Sequence, residues 1–263
     1  MSLLTVTILI LTGVLVGFIN TLSAGGTIVS IALYLALGIS PQGANAVNRV
    51  GVLLQDAFGS ALFLKQGIFK VKQVLPYCFP VMAGALLGSL TAVSISEKVF
   101  SFCLGAILLV MIVFLFVQEK QSVKEEKHLS LKQYLIYFPV FVGIGFYGGF
   151  VQAGTGFLII AALSMILGYD MIKTAAVKLF IMFLYTVVAI TVFFAKGGVE
   201  VNYWLFGLIH SLGMIIGTWI ADKYALKKGE KFIRWVIIFV ILLTALNLFG
   251  IMDLQKIFKN LVL

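Results

Sequence analysis

Charge is what this chain has least of. Only 11% of its 263 residues are Asp, Glu, Lys or Arg, where a soluble domain carries about a quarter. Apolar residues make up 62% and the mean hydropathy is +1.14. So little polar sequence cannot coat a globule, which excludes a soluble fold and leaves no room for a soluble domain. Cysteine is also scarce. Cys78 and Cys103 both sit inside apolar runs and read as small buried packing residues, which excludes a disulfide framework and a cysteine metal site. The chain has no Walker loop, no zincin motif and no coherent catalytic triad, so nothing points to an enzyme, a cofactor or a metal. Ahead of the first apolar run there is no basic stretch and no clear small-residue cleavage site. The N-terminus therefore reads as a retained membrane segment rather than a signal peptide.

What is present is a series of long apolar runs, near 3–20, 27–38, 43–64, 74–95, 99–117, 134–151, 157–168, 174–195, 201–221 and 233–250. Eight are long enough to span a bilayer as helices. The runs at 27–38 and 157–168 would extend only about 18 Å at about 1.5 Å per residue, short of a hydrocarbon core of about 30 Å, and are predicted as half-helices. The expected class is an all-α integral membrane protein.

The net charge of +9 would ordinarily suggest nucleic acid. Here the basic residues cluster in short loops at 65–72, 118–132 and 222–234, so membrane topology explains them and no nucleic-acid partner is expected. If each half-helix returns to the side its preceding run came from, all three loops fall on one face. The positive-inside rule makes that face cytoplasmic. Were each run and half-helix to make one net crossing instead, the loop at 222–234 would lie outside.

Shifting the chain by about 130 residues superimposes its halves. Gly13 falls on Gly143, Gly26 on Gly156, "ALYLALG" (32–38) on "ALSMILG" (162–168), and Gly67 on Gly197. With a slip of one, the Gly84/Gly88 pair falls on Gly213/Gly217. The chain thus divides into a first repeat (1–117), a cytoplasmic linker (118–133) and a second repeat (134–263), each repeat with four segments and a broken, re-entrant helix near its start. An odd number of crossings per half inverts the second repeat, the arrangement of secondary transporters whose broken helices meet at a substrate site. The glycine pairs read as close-packing sites, within a subunit or in a homodimer.

The polar residues follow the same division. The breaks are "NTLSAGGTIVS" (20–30) and "VQAGTGFL" (151–158). The candidate binding residues at the breaks are Asn20, Ser23, Ala24, Gly25, Gly26, Thr27, Gln152, Ala153, Gly154, Thr155 and Gly156. A half-helix N-terminus presents backbone N–H groups and the positive end of a dipole, which suits an anion. After the first break, Asn45, Asn48, Arg49, Gln55 and Asp56 share one helical face. After the second, Lys178 and Tyr185 do the same, with Thr174 and Thr186. Arg49 and Lys178 would add charge to an anion site. Alternatively, Arg49 pairs with Asp56 and Lys178 snorkels to the interface. Asp56, and after it His210, are the candidates for proton coupling, with a helix–helix hydrogen bond as the other reading of His210.

Taken in order, these features resemble the TauE/SafE family of sulfite and organosulfonate exporters. The resemblance rests on the glycine-rich breaks, "GISPQGANAVNRVGVLLQ" (38–55), "YDMIKTAAVKLFIMFLYT" (169–186) and the stretch 197–235. It implies an eight-segment transporter in the cell membrane for small sulfur-containing anions such as sulfite, sulfoacetate or other sulfonates. The expected partners are that anion and membrane lipid. A passive anion channel, and an intramembrane enzyme or partner-dependent membrane subunit, are the alternatives.

Overall fold

The computed structural model of the chain describes residues 2–22, 24–117, 126–127, 129–196, 200–223 and 230–262. These form α1 (Leu3–Leu22), α2 (Gly26–Ala36), α3 (Pro41–Lys65), α4 (Val71–Ser94), α5 (Glu97–Val117) and α6 (Leu131–Phe150). Then follow α7 (Thr155–Leu167), α8 (Met171–Lys196), α9 (Val201–Lys223), α10 (Glu230–Leu248) and α11 (Leu254–Val262). The protein is all-α. The apolar runs became helices because backbone polar groups in hydrocarbon must be satisfied within their own segment. Local signals set their starts. Ser40 accepts from the Gly43 N–H and Pro41 opens α3, while Ser130 and Gln133 form a capping box at α6. These are the start signals of Pro at the first position and of the reciprocal Ser–Gln cap.

Five of the described helices (α1, α4, α6, α8 and α9) are long and apolar enough to cross a membrane. At 25 residues α3 has the length too, but its polar stripe lowers its hydropathy. The helix α11 was not expected from the sequence. Its Leu254 and Ile257 alternate with Gln255, Lys256 and Lys259, the two-faced pattern of a helix lying at an interface.

Contacts fix the directions of the long helices. Gly13 and Gly17 meet His210 and Met214, so α1 and α9 run the same way. Gly207 meets Val47 and Gly59 meets Thr218, so α3 runs with them. In the other group, Gly84 and Gly88 meet Val142 and Phe146, making α4 and α6 parallel. At one end of α3, Arg49 lies 4.7 Å from the Phe193 ring of α8. Further along, Gly59 meets Leu179, so α3 and α8 are antiparallel. Gln42 donates to the Ala92 and Ile95 carbonyls, both at 2.9 Å, which sets the end of α4 beside the start of α3. Hence α1, α3 and α9 run one way, and α4, α6 and α8 the other.

The short helices turn back. α2 begins beside Val16 and Asn20 of α1, and its Ser30 lies 3.0 Å from His210, which in turn bonds the Leu9 carbonyl. At the far end of α7, the Leu167 carbonyl accepts from Lys127 N–H, just ahead of α6. Each half-helix thus returns toward the face from which its preceding helix set out. Gln66 bonds Asp222, Tyr134 bonds the Pro76 carbonyl, and Lys173 pairs with Glu126. The described parts of the three basic loops therefore share one face.

The glycine pairs meet inside the chain. A Cβ on Gly84 or Gly88 would strike the α6 backbone, and one on Gly213 or Gly217 would strike that of α1. In return, Gly145 and Gly149 take the α4 backbone at Val81 and Ala85, as Gly13 and Gly17 take that of α9. Neither face is left open to a second copy. The contacts also correct the repeat register on these helices. Gly13 and Gly17 correspond to Gly145 and Gly149, a shift of 132, whereas a Cβ on Gly143 meets nothing within 4 Å. Apolar helices slide past one another in a sequence comparison at little penalty, but backbone contact needs the right glycine. Replacing Gly84 or Gly217 by Leu is expected to cost at least about 1–3 kcal/mol of overpacking and to collapse the yield of monodisperse protein in detergent. Gly143→Ala is expected to leave the thermal midpoint unchanged or higher.

Candidate functional site

The polar residues of the two breaks and of α3 and α8 lie together in the middle of the helix bundle. Asn20, Thr27, Asn45, Asn48, Arg49, Gln55, Asp56, Gln152, Thr155, Lys178 and Thr186 are each no more than 5% exposed. The breaks themselves touch. A Cβ built on Gly156, in the first turn of α7, would lie 2.6 Å from the Ala24 side chain and 3.5 Å from Lys178 Cδ. Ser23 lies outside the described residues.

At the first break, Asn20 replaces the missing helical turn. Its Oδ1 accepts from the Thr27 N–H at 3.1 Å, capping α2, and its Nδ2 donates to Gln55 Oε1 at 3.2 Å. Gly25 at the N-cap lies against Ile237 of α10, where a Cβ would come within 2.6 Å, and Gly26 lies against Val16 and Asn20.

The second break is clamped by α3. Asn45 donates to the Phe150 carbonyl at 3.0 Å and accepts from the Gln152 N–H at 3.3 Å. Gln152 then accepts from Asn48 and donates to Thr186, each at 3.0 Å. Gly154 starts α7 with φ +78°, a left-handed turn that a side chain disfavours. Tyr147 holds the Ala153 carbonyl at 2.6 Å, and Thr155 bonds the Gln152 carbonyl at 3.0 Å.

The two cations bind across the halves. Arg49, on α3, donates to the Gly148 and Gly149 carbonyls at 3.0 and 2.7 Å. Lys178, on α8, donates to the Asn20 carbonyl at 2.6 Å and the Thr21 carbonyl at 3.4 Å. Those carbonyls end α6 and α1, where a helix leaves acceptors unpaired and carries the negative end of its dipole. Each cation therefore caps the helix that precedes the other half's break. This corrects the alternative readings of both residues. Arg49 makes no ion pair with Asp56, and Lys178 is 1% exposed rather than snorkelling. The physical reason is that two like charges cannot share a dry centre unless each has acceptors of its own.

Asp56 is the opposite charge whose field reaches Lys178. Tyr185 is close enough to Arg49 and Asp56 to feel both charges. His210 stands apart. Its ring nitrogens lie 3.0 Å from Ser30 Oγ and 2.9 Å from the Leu9 carbonyl. The nitrogen facing a carbonyl must carry the proton, so the other accepts from Ser30. This is the helix–helix hydrogen bond, and it ties α2 to α9 and α1. Sequence reasoning missed Ser30 in this role and Phe193 as the face on which Arg49 rests. Thr186 was visible on the stripe but not singled out.

The chain is 28% identical over 232 residues to a probable membrane transporter protein of Sinorhizobium, covering 88% of this chain and 87% of that one. It is 26% identical to a probable membrane transporter protein of Haemophilus influenzae, covering 90% and 92%. A third relative, the probable membrane transporter protein YfcA of Escherichia coli, is 22% identical, covering 89% and 85%. No solved structure matches the chain. The family described as sulfite exporter TauE/SafE matches residues 9–248, most of the sequence, and the chain belongs to that family of membrane transporters.

Proposed function

We propose that the chain exports small sulfur-containing anions, sulfite or organosulfonates, by alternating access, with the anion held where the two breaks meet. The carrying observation is the crossed pair of caps. Arg49 and Lys178 each hold the helix before the opposite half's break, and the breaks are in contact through Ala24 and Gly156. An anion entering this centre competes with backbone carbonyls for the two cations. A carbonyl carries only a partial charge, so a full anion is the stronger partner. Drawing a cation away uncaps a helix of the other half, which couples occupancy to movement between halves.

The antiparallel running of α3 and α8 supports an inverted repeat, since these helices follow corresponding half-helices. Inverted halves give two equivalent ways of opening, one to each face. The absence of exposure at the centre supports an occluded state of such a cycle rather than a standing pore. With the basic face cytoplasmic, the membrane potential favours exit of an anion by about 2.3 kcal/mol per charge per 100 mV.

In proteoliposomes, Arg49→Ala and Lys178→Ala are each expected to abolish sulfite or sulfonate flux. Undiminished flux in both variants would remove the site from this centre. A second check needs no loss of charge. A Cβ on Gly156 would come within 2.6 Å of the Ala24 side chain, so Gly156→Val is expected to force the breaks apart and to lower flux about tenfold or more. Undiminished flux in that variant would mean that the contact between the breaks plays no part in transport.

A further inference from the structure

The centre has an inventory of unanswered polar atoms, and it is specific. Asn48 Oδ1, Arg49 Nε, Gln55 Nε2, Asp56 Oδ2 and Tyr185 Oη are buried without a hydrogen-bond partner. All five belong to α3 and α8. The sixth such atom, Tyr34 Oη, lies elsewhere, beside the His210 ring. An unpaired polar atom in a dry interior is costly, and five on two facing helices call for a ligand.

Their orientations are set by their neighbours. Asn20 must turn its oxygen to the Thr27 N–H, so its amide nitrogen faces Gln55. Gln55 then presents its oxygen to Asn20 and leaves an N–H free. Arg49 presents Nε–H. Tyr185 presents its hydroxyl beside Thr155 and Gln152, within reach of the charges of Arg49 and Asp56. Against these donors stand two acceptors, Asn48 Oδ1 and Asp56 Oδ2. A bare oxyanion would satisfy the donors, leave both acceptors empty and meet Asp56 as a like charge.

The charges make the same selection. Among the described residues, Arg49, Lys178 and Asp56 are the buried Arg, Lys, Asp or Glu side chains, and together they leave one positive charge. A monoanion neutralises the centre. A dianion would bury a net negative charge, which a dry interior disfavours strongly.

We propose that the centre recognises a monoanion carrying a hydrogen-bond donor of its own, and discriminates against dianions. On this assignment, which rests on the transport reading above, the donors take the sulfonate or sulfite oxygens. Asp56 takes the ligand's O–H, and Asn48, about 12 Å away along α3 at about 1.5 Å per residue, does not share it. The transported form of sulfite is then hydrogensulfite. Hydroxysulfonates fit, while sulfate and sulfoacetate do not.

The test is competition against radiolabelled isethionate, a hydroxysulfonate monoanion, in proteoliposomes of the full chain. Unlabelled isethionate is expected to compete best and methanesulfonate, of equal charge but without a donor, less well. Sulfate and sulfoacetate should compete about tenfold or more weakly than isethionate. Asp56→Asn raises the net charge of the centre by one. It is expected to admit sulfate and to narrow the gap between isethionate and methanesulfonate. Sulfate or sulfoacetate competing on equal terms in the wild type would overturn the charge assignment alone, with transport itself standing. Failure of every anion to move or compete would overturn the proposed function and this assignment with it. Should Asp56→Asn not fold, the wild-type ranking decides.

Discussion

Everything at the centre depends on backbone carbonyls being answered by a cation from the other half of the chain. Where α1 and α6 stop inside the bilayer, their last carbonyls lose the partners a continuous helix would supply. Buried in the bundle, they are out of reach of bulk solvent. Lys178 and Arg49 answer them instead. The same contacts solve the converse problem, since a guanidinium and an ammonium in a dry interior need acceptors as much as the carbonyls need donors. Two costly features, a broken helix and a buried charge, thereby stabilise each other, and do so twice.

That reciprocity explains why the breaks are tolerated, and it makes them responsive. A continuous helix would be stiffer and would offer nothing to a ligand. A break capped by its own half would open or close without reference to the other. Capping across the halves means that neither break can change its hydrogen bonds without releasing a cation on the opposite side. The clamp of Asn45 on residues 150–152 belongs to the same logic, because it ties the second break to α3. The glycine contacts complete the frame. They lock α1 to α9 and α4 to α6 at backbone distance, so each half's outer helices are held by the other half, around the α3–α8 pair.

Much of this was legible in the sequence, and the missed parts share a cause. The apolar runs, the two short segments and the polar stripes depend on side-chain character, which the sequence displays. The partners of Arg49 and Lys178 are carbonyls, identical in every residue, so no pattern could reveal them. The stripe offered Asp56 as one partner for Arg49, at helical spacing, and the structure sets Arg49 on the Gly148 and Gly149 carbonyls instead. The register of α1 against α6 slipped by two, because Leu, Ile and Val are interchangeable against lipid while glycine is not at a backbone crossing. The helix α11 was hidden for another reason. It is only nine residues long, and its lysines show a two-faced pattern against Leu254 and Ile257 only once they are placed on a helix.

The two halves are alike in plan but not in strength, and the difference bears on the cycle. Arg49 holds its carbonyls with a planar fork and rests on the Phe193 ring at 4.7 Å. Lys178 is a point charge on a flexible stem, and Asp56 draws on it as well. A fork loses less freedom per hydrogen bond formed than a stem does, so the cap on α6 is the firmer of the two. The half-helices show the opposite bias. α2 is tied through Ser30 to His210, whereas the corresponding position in α7 is Ile160, whose side chain cannot hydrogen-bond. In the cycle of two openings proposed above, such differences between the halves would make the two steps unequal, so an inverted architecture does not oblige them to be equivalent.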